Sequence, residues 1–168
     1  MTVSVETARR ALFWCALVLP AAPVGAAFFA QGWPAQRFLV FYVAPLFLAA
    51  PLWVRVRLRE STPQLSLHTI VDATVFMLSF ARFVLAPVLP FSGHMMFLTY
   101  SGLTTRTAGY RLLALLLLAE TTWFKLWLWR DSATWSVGLI LGIVAAGITL
   151  LANRQRAQNK DQLAGKPS

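Results

Sequence analysis

Long apolar stretches separated by short polar segments are the dominant pattern along the chain. Six of them approach the ~20 residues that a helix needs to cross the hydrocarbon core of a bilayer. These stretches cover residues 11–30, 38–54, 68–89, 94–109, 112–129 and 133–152. The pattern predicts an all-α fold, a polytopic bundle of six transmembrane helices in one domain, residues 1–152, followed by a polar cytoplasmic tail at residues 153–168.

The first apolar stretch also resembles a signal peptide in its flanking residues. Arg9 and Arg10 precede it, and small residues at positions 24–26 follow its apolar centre. We favour an uncleaved span because the run is nearly long enough to cross a bilayer. Cys15, the single cysteine of the chain, lies inside this run, so an intramolecular disulfide is excluded.

The fourth apolar stretch is short for a membrane span. From His94 to about Thr105 it gives only ~18 Å of helix, against a hydrocarbon core of ~30 Å. Two explanations remain open. Either the helix continues through Arg106 to Gly109, or His94 lies below the membrane surface.

Composition supports a lipid environment. Hydrophobic residues make up 58% of the chain and charged residues 12%, with a mean hydropathy of +0.62, which is too apolar for a soluble domain with one core. The net charge of +9 would suggest nucleic acid in a soluble protein. Here the basic residues collect in short segments between apolar runs, as loops beside anionic headgroups do, so we expect no nucleic-acid partner.

The distribution of Lys and Arg predicts the orientation. With six spans, both termini lie on one side of the membrane. Eleven basic residues fall on that side, against Arg37 and Arg130 in the opposite loops. Both termini are therefore predicted to be cytoplasmic, and the compact loops favour a bacterial inner (plasma) membrane. The eleven are Arg9, Arg10, Arg55, Arg57, Arg59, Arg106, Arg111, Arg154, Arg156, Lys160 and Lys166.

Ionisable residues inside apolar runs are functional candidates, because a charge in hydrocarbon costs at least ~2.5 kcal/mol. In the third span, His68, Asp72 and Arg82 fall on one helical stripe with Ser79. Each charge needs a partner: we expect Arg82 to meet Glu120 of the fifth span and Asp72 to lie near the basic inner loops. Such pairs either hold the bundle together or form a polar lane for protons.

A second cluster is predicted at the outer end. Ser92 and Gly93 free the backbone just before His94 opens a helix, which suits an anion pocket. Arg82, Lys125 and Arg130 are expected to converge there with His94. Cations gathered in a low-dielectric place require an anion, which Glu120, Asp131 or a bound phosphate can supply.

Ser92-Gly93-His94 at the start of a helix, in a compact six-span bundle, resembles the central motif of the phosphatidic acid phosphatase type 2 superfamily of membrane lipid phosphatases. The resemblance covers the topology from about residue 71 to 142. The family's second motif, His-x-x-x-Asp followed by Gly, falls on Arg130, Thr134 and Gly138 with the right spacing but the wrong first two residues. Its first motif, a Lys and an Arg-Pro upstream, is missing.

The resemblance implies that His94 is the general acid that protonates the leaving group. The position of the nucleophilic histidine is taken by Arg130, which cannot attack phosphorus because it stays protonated. The departures therefore put catalysis in doubt while leaving a phosphate pocket intact.

We expect an integral membrane protein that binds a lipid phosphate or pyrophosphate in an outward-facing pocket, with or without catalysis. His94 would be the catalytic residue, and the phosphate ligands would be Ser92, Gly93, Arg82, Lys125 and Arg130, with Asp72, Glu120 and Asp131 as their polar partners. The alternatives are a non-catalytic scaffold or lipid-binding subunit, or a small proton-coupled transporter. Partners would be membrane lipids and a homo-oligomer or membrane complex; neither cofactor nor metal is expected, since no zinc spacing or Gly-rich loop occurs.

Overall fold

The structure, a computed structural model, describes residues 7, 11, 48–60, 67–82, 88, 90–128 and 130–164. These residues contain no strand and form five α-helices, so the all-α fold class is confirmed for them. The predicted spans at residues 11–30 and 38–54 lie almost entirely outside the described part. The helices are α1 (Ala50–Glu60), α2 (Leu67–Ala81), α3 (Gly93–Thr104), α4 (Ala108–Trp123) and α5 (Ser132–Ala164).

Several helix boundaries differ from the sequence-based ranges. Helix α2 ends at Ala81 instead of residue 89, and helix α4 covers Ala108–Trp123 instead of residues 112–129. Helix α1 continues through the basic segment to Glu60, since nothing in Arg55–Glu60 breaks a helix. Helix α3 ends at Thr104, with Thr105 in extended conformation, so it does not continue to Gly109. Helix α5 continues to Ala164, well into the predicted polar tail, because that tail holds good helix formers.

Helix α3 is the centre of the described bundle. Most of its 12 residues are buried, and it packs against α2, α4 and α5. On one side an aromatic cluster joins it to α1 and α2: Trp53 stacks on Phe76 at 5.5 Å between ring centroids, and Phe97 meets both rings edge-on. Burial of these large rings makes the cluster a main source of packing energy.

Glycines allow the helices to approach closely at the start of α3. A Cβ atom on Gly142 of α5 would lie 2.8 Å from the carbonyl oxygen of Met96, and one on Gly138 would overlap the backbone of Ser92. Gly93 is likewise pressed against the carbonyl oxygen of Ser79 in α2. Small residues at i and i+4 permit this backbone contact, as is common where helices pack in lipid.

The outer faces of α4 and α5 are apolar and exposed. Leu112 and Leu116 of α4 are 60% and 61% exposed, and Leu151 of α5 is 60% exposed. Within α5, Ser132–Gln155 spans 24 residues and is long and apolar enough to cross a membrane; among the described helices it alone meets that criterion. Helix α2 supplies a shorter apolar segment, Thr69–Ala81.

Candidate functional site

Ser92 fixes the start of α3 against the start of α5. Its side chain caps the helix by accepting a hydrogen bond from the amide of Met95 (3.4 Å), and its own amide donates to the carbonyl oxygen of Thr134 (2.8 Å). Ser92 is buried at 4% exposure. Capping and packing thus account for Ser92, and the close approach to Ser79 accounts for Gly93.

His94 follows at the second position of α3 and is half-buried. The charges of Lys125 and Arg82 lie close enough to act electrostatically on its imidazole. Arg82, His94 and Lys125 thus lie at the same end of the bundle, while the closer convergence of four cations stays a prediction. These three residues come from three different elements: the turn after α2, the start of α3, and the π-helical turn at residues Phe124–Leu128 that follows α4.

Arg82 does not pair with Glu120 as predicted. Its Nε atom donates to the carbonyl oxygen of Phe91 at 2.9 Å, and its backbone amide closes the end of α2 on Leu78. Glu120 is exposed on α4 and forms no ion pair with Arg82. The expected pair does not form because a backbone carbonyl of the chain that leads into α3 takes the Nε–H of Arg82.

Lys125 forms a salt bridge with Asp131, which the sequence analysis named as a possible source of negative charge. Its Nζ atom lies 2.8 Å from Oδ2 of Asp131 and 3.2 Å from Oγ1 of Thr134. The π-helical turn allows this contact, because the Asp131 amide returns to the carbonyl oxygen of Lys125 at 2.9 Å.

Asp131 also caps helix α5. Its Oδ1 atom accepts from the amide of Thr134 at 3.2 Å, and Oδ2 accepts from the Thr134 hydroxyl. Burial acts to raise the pKa of Asp131, but the hydrogen bonds from Lys125 and Thr134 outweigh it, so this pKa lies below its ordinary value. The carboxylate is therefore ionised at neutral pH.

Arg130 lies apart from this network. It is exposed, and its side chain forms no hydrogen bond or ion pair with the residues that the structure describes. Its backbone has φ = 52°, the left-handed region that costs a non-glycine residue about 1–2 kcal/mol. Arg130 thus serves the tight connection into α5, and the structure does not join it to His94.

No protein-family model, no curated protein and no solved structure gives a significant match. The relationship to the phosphatidic acid phosphatase type 2 superfamily rests on the Ser92–His94 motif and the spacing around Arg130, and it stays a prediction.

A second polar cluster lies in the interior of the bundle, between four helices. Nη2 and Nε of Arg57 donate to the two carboxylate oxygens of Asp72 at 2.8 and 3.2 Å. The hydroxyl of Tyr100 donates to Asp72 and lies 3.2 Å from Oγ1 of Thr149. Arg57 and Asp72 are each 2% exposed. This pair is the interhelical contact that the sequence left open for Asp72.

The sequence analysis missed three hydrogen-bonding residues of these two clusters, namely Tyr100, Thr134 and Thr149. A signal existed for Thr134, since Asp131-Ser-Ala-Thr134 is the pattern of an N-cap followed by a polar residue three positions later. None existed for Tyr100, whose position gives no sign that it faces Asp72. Within the described residues, no three His, Cys, Asp or Glu side chains form a group that could hold a metal ion.

Proposed function

We propose that the protein is an integral membrane protein that binds the phosphate group of a lipid phosphate or pyrophosphate beside His94, without hydrolysing it. The binding end of the bundle, where α3 begins, faces away from the cytoplasm. Arg82 supplies the net positive charge, Lys125 supplies a second cationic donor that it shares with Asp131, and His94 supplies a hydrogen-bonding group.

The exposed apolar faces of α4 and α5 support a membrane location. In water, the many exposed leucines of these helices, such as Leu112 and Leu116 of α4 and Leu151 of α5, would favour aggregation. In lipid the same surface needs no protein cover. The orientation is supported by the basic residues at the opposite end of the bundle, which include Arg55, Arg59 and Arg106 and fit a cytoplasmic surface.

The observation that carries the phosphate proposal is the placement of two cations at the end of the bundle where His94 begins α3. Arg82 and Lys125 reach this end from different elements, through contacts to Phe91 and Thr134, and their charges act on the imidazole of His94. Lys125 is neutralised by Asp131, whereas the guanidinium of Arg82 meets a neutral carbonyl oxygen. Among the described residues no carboxylate pairs with Arg82, so its positive charge stays uncompensated at this end of the bundle, and an anion would compensate it.

The geometry favours binding over hydrolysis. Arg130 stands where the phosphatidic acid phosphatase type 2 superfamily has its nucleophile, and an arginine cannot attack phosphorus because it stays protonated. Its backbone has a positive φ in the tight connection into α5. Ser92 is buried and caps α3, so its hydroxyl is committed. A phosphate between Arg82 and Lys125 would therefore be held without a nucleophile supplied by these residues.

The experiment measures binding of dioctanoyl phosphatidate to the purified full chain in detergent, with dioctanoylglycerol as the phosphate-free control. Lys125→Gln and Arg82→Gln should each weaken binding by about 10-fold, the equivalent of ~1.4 kcal/mol for one lost charge-assisted contact. Arg59→Gln, an exposed arginine in the last turn of α1, is the matched control and should leave binding unchanged.

Asp131→Asn should change phosphatidate affinity in the opposite direction to Lys125→Gln. It keeps an N-cap but removes the negative charge that competes with phosphate for Lys125, so affinity should rise about 3- to 10-fold. Equal binding by wild type and Lys125→Gln, or weaker binding by Asp131→Asn, would contradict the proposal. Release of inorganic phosphate that stops in His94→Ala would show that the protein is an enzyme.

Transport receives no support from the interior cluster. A proton carrier must gain and lose its charge, whereas Asp72 is fixed by two contacts to Arg57 and one to Tyr100. The scaffold alternative predicts no phosphate-dependent binding, and the same experiment therefore tests it.

A further inference from the structure

A cavity of about 610 Å³ lies at the other end of α3, away from His94. It is bounded by the end of α3, the connection into α4, the first turn of α4, and the second half of α5. Its size is within the range of sites that hold small organic ligands. The cavity is lined by Leu103, Thr104, Thr105, Arg106, Arg111, Leu150, Asn153, Arg154 and Ala157.

The lining carries three positive charges and no acidic residue. Arg106, Arg111 and Arg154 are exposed, and their side chains form no ion pair within the described part of the chain. Glu60 of α1 accepts hydrogen bonds from the backbone amides of Arg106 (3.1 Å) and Thr107 (2.8 Å). Its carboxylate therefore anchors the connection between α3 and α4. Three guanidinium groups around one cavity create a strong preference for an anion.

Thr105 provides an independent sign of a ligand. It is 3% exposed and lines the cavity, yet its Oγ1 atom has no hydrogen-bond partner among the described residues. A buried hydroxyl without a partner is uncommon, because leaving it unsatisfied costs free energy. This oxygen is itself enclosed by the protein, so an oxygen atom of a bound anion would satisfy it once the Thr105 side chain turns toward the cavity.

The apolar part of the lining indicates an amphiphile. Leu103 and Leu150 are 49% and 46% exposed, and they lie beside the arginines. A free phosphate would use the guanidinium groups and leave these leucines uncovered. A phospholipid would place its phosphate among the arginines and an acyl chain along the leucines, as basic pockets between membrane helices do on the cytoplasmic side.

We propose that this cavity binds the phosphate headgroup of an anionic phospholipid of the inner leaflet, with Arg106, Arg111 and Arg154 as charge partners and Thr105 as a hydrogen-bond donor. The site is separate from the one beside His94 and does not depend on it. It gives the basic end of the bundle a specific lipid contact in addition to a general attraction to the membrane surface.

The test measures binding of three probes to the delipidated full chain in detergent: dioctanoyl phosphatidylglycerol, dioctanoyl phosphatidylcholine and inorganic phosphate. Phosphatidylglycerol should bind at least ~10-fold more tightly than the other two. Arg106→Gln combined with Arg111→Gln should weaken its binding at least ~10-fold. The matched control, Arg55→Gln combined with Arg59→Gln, removes two exposed arginines of α1 that do not line the cavity and should have no effect.

Thr105→Val keeps the shape of the side chain and should weaken phosphatidylglycerol binding about 3- to 5-fold, which keeps the proposal testable if the double arginine variant does not fold. Equal binding of phosphatidylcholine, equal binding of inorganic phosphate, or equal losses in the control pair and the cavity pair would each overturn the proposal. Lys125→Gln should not change this binding, so the two proposed sites can fail separately.

Discussion

The buried pair of Arg57 and Asp72 gives the sharpest prediction about stability. Asp72→Asn removes the negative charge but leaves a residue of nearly the same shape. Arg57 would remain buried, with its side chain only 3% exposed. Removing one partner of a buried ion pair typically costs 3–5 kcal/mol, because an uncompensated charge is left in a low-dielectric place.

The expected cost lies at the lower end of that range. Glu60 is 3.8 Å from Nη1 of Arg57, and its side chain is 15% exposed, so some compensating charge remains. The asparagine oxygen can also still accept from Arg57 or Tyr100. We therefore expect Asp72→Asn to lower the free energy of unfolding by about 3 kcal/mol.

The assay is reversible unfolding in mixed micelles, followed by the fluorescence of tryptophans such as Trp53, which stacks on Phe76 in the same region. The control variant combines Arg57→Met with Asp72→Leu. Because it removes both charges, it should cost at most about 1 kcal/mol. A loss below about 1 kcal/mol for Asp72→Asn, or an equal loss for the double variant, would refute the reasoning.

Two further predictions concern the packing and capping of α5. Gly142→Leu should lower the free energy of unfolding by about 1–3 kcal/mol, since its Cβ would press on Met96 and Thr99. The control is Gly147→Leu, which has open space around its Cβ and should leave the free energy of unfolding unchanged. Equal losses for the two variants in micelle unfolding would contradict this prediction. Because the pKa of Asp131 is lowered by folding, its charge stabilises the protein above the ordinary pKa of 3.8, and this contribution is lost as pH falls through the lowered value. The stability difference between wild type and Asp131→Asn should be below about 1 kcal/mol at pH 7, since the side chain is partly exposed, and should shrink below pH ~4; a difference that grows in acid would contradict it.

The sequence predicted the helical class better than it predicted side-chain contacts. Apolar runs and the position of Ser92 before His94 were enough to predict a helix that opens there, since a serine cap and a following apolar run are local signals. The partner of Arg82 was not predictable in this way. Its acceptor is a backbone carbonyl, which carries no signature in the sequence.

The pairing of Lys125 with Asp131 shows a second limit. At six residues apart, the two do not face each other on a regular α-helix. The π-helical turn and the left-handed Arg130 bring the chain back so that the two side chains meet. Residue propensities predict neither feature, since π-helical turns are rare and an arginine seldom adopts a positive φ.

The difference in length between α3 and α5 explains the cavity at the end of α3. Ser92 is joined to Thr134 in the first turn of α5, so the two helices begin at nearly the same level. From there α3 runs only ~18 Å, whereas the apolar segment of α5 that ends at Gln155 runs ~36 Å in all. Extended backbone at Thr105 and Thr107 then carries the chain toward α4 beside the second half of α5. Because α3 stops short, it leaves the cavity lined by arginines at this end of the bundle, and the proposed lipid headgroup would occupy that space.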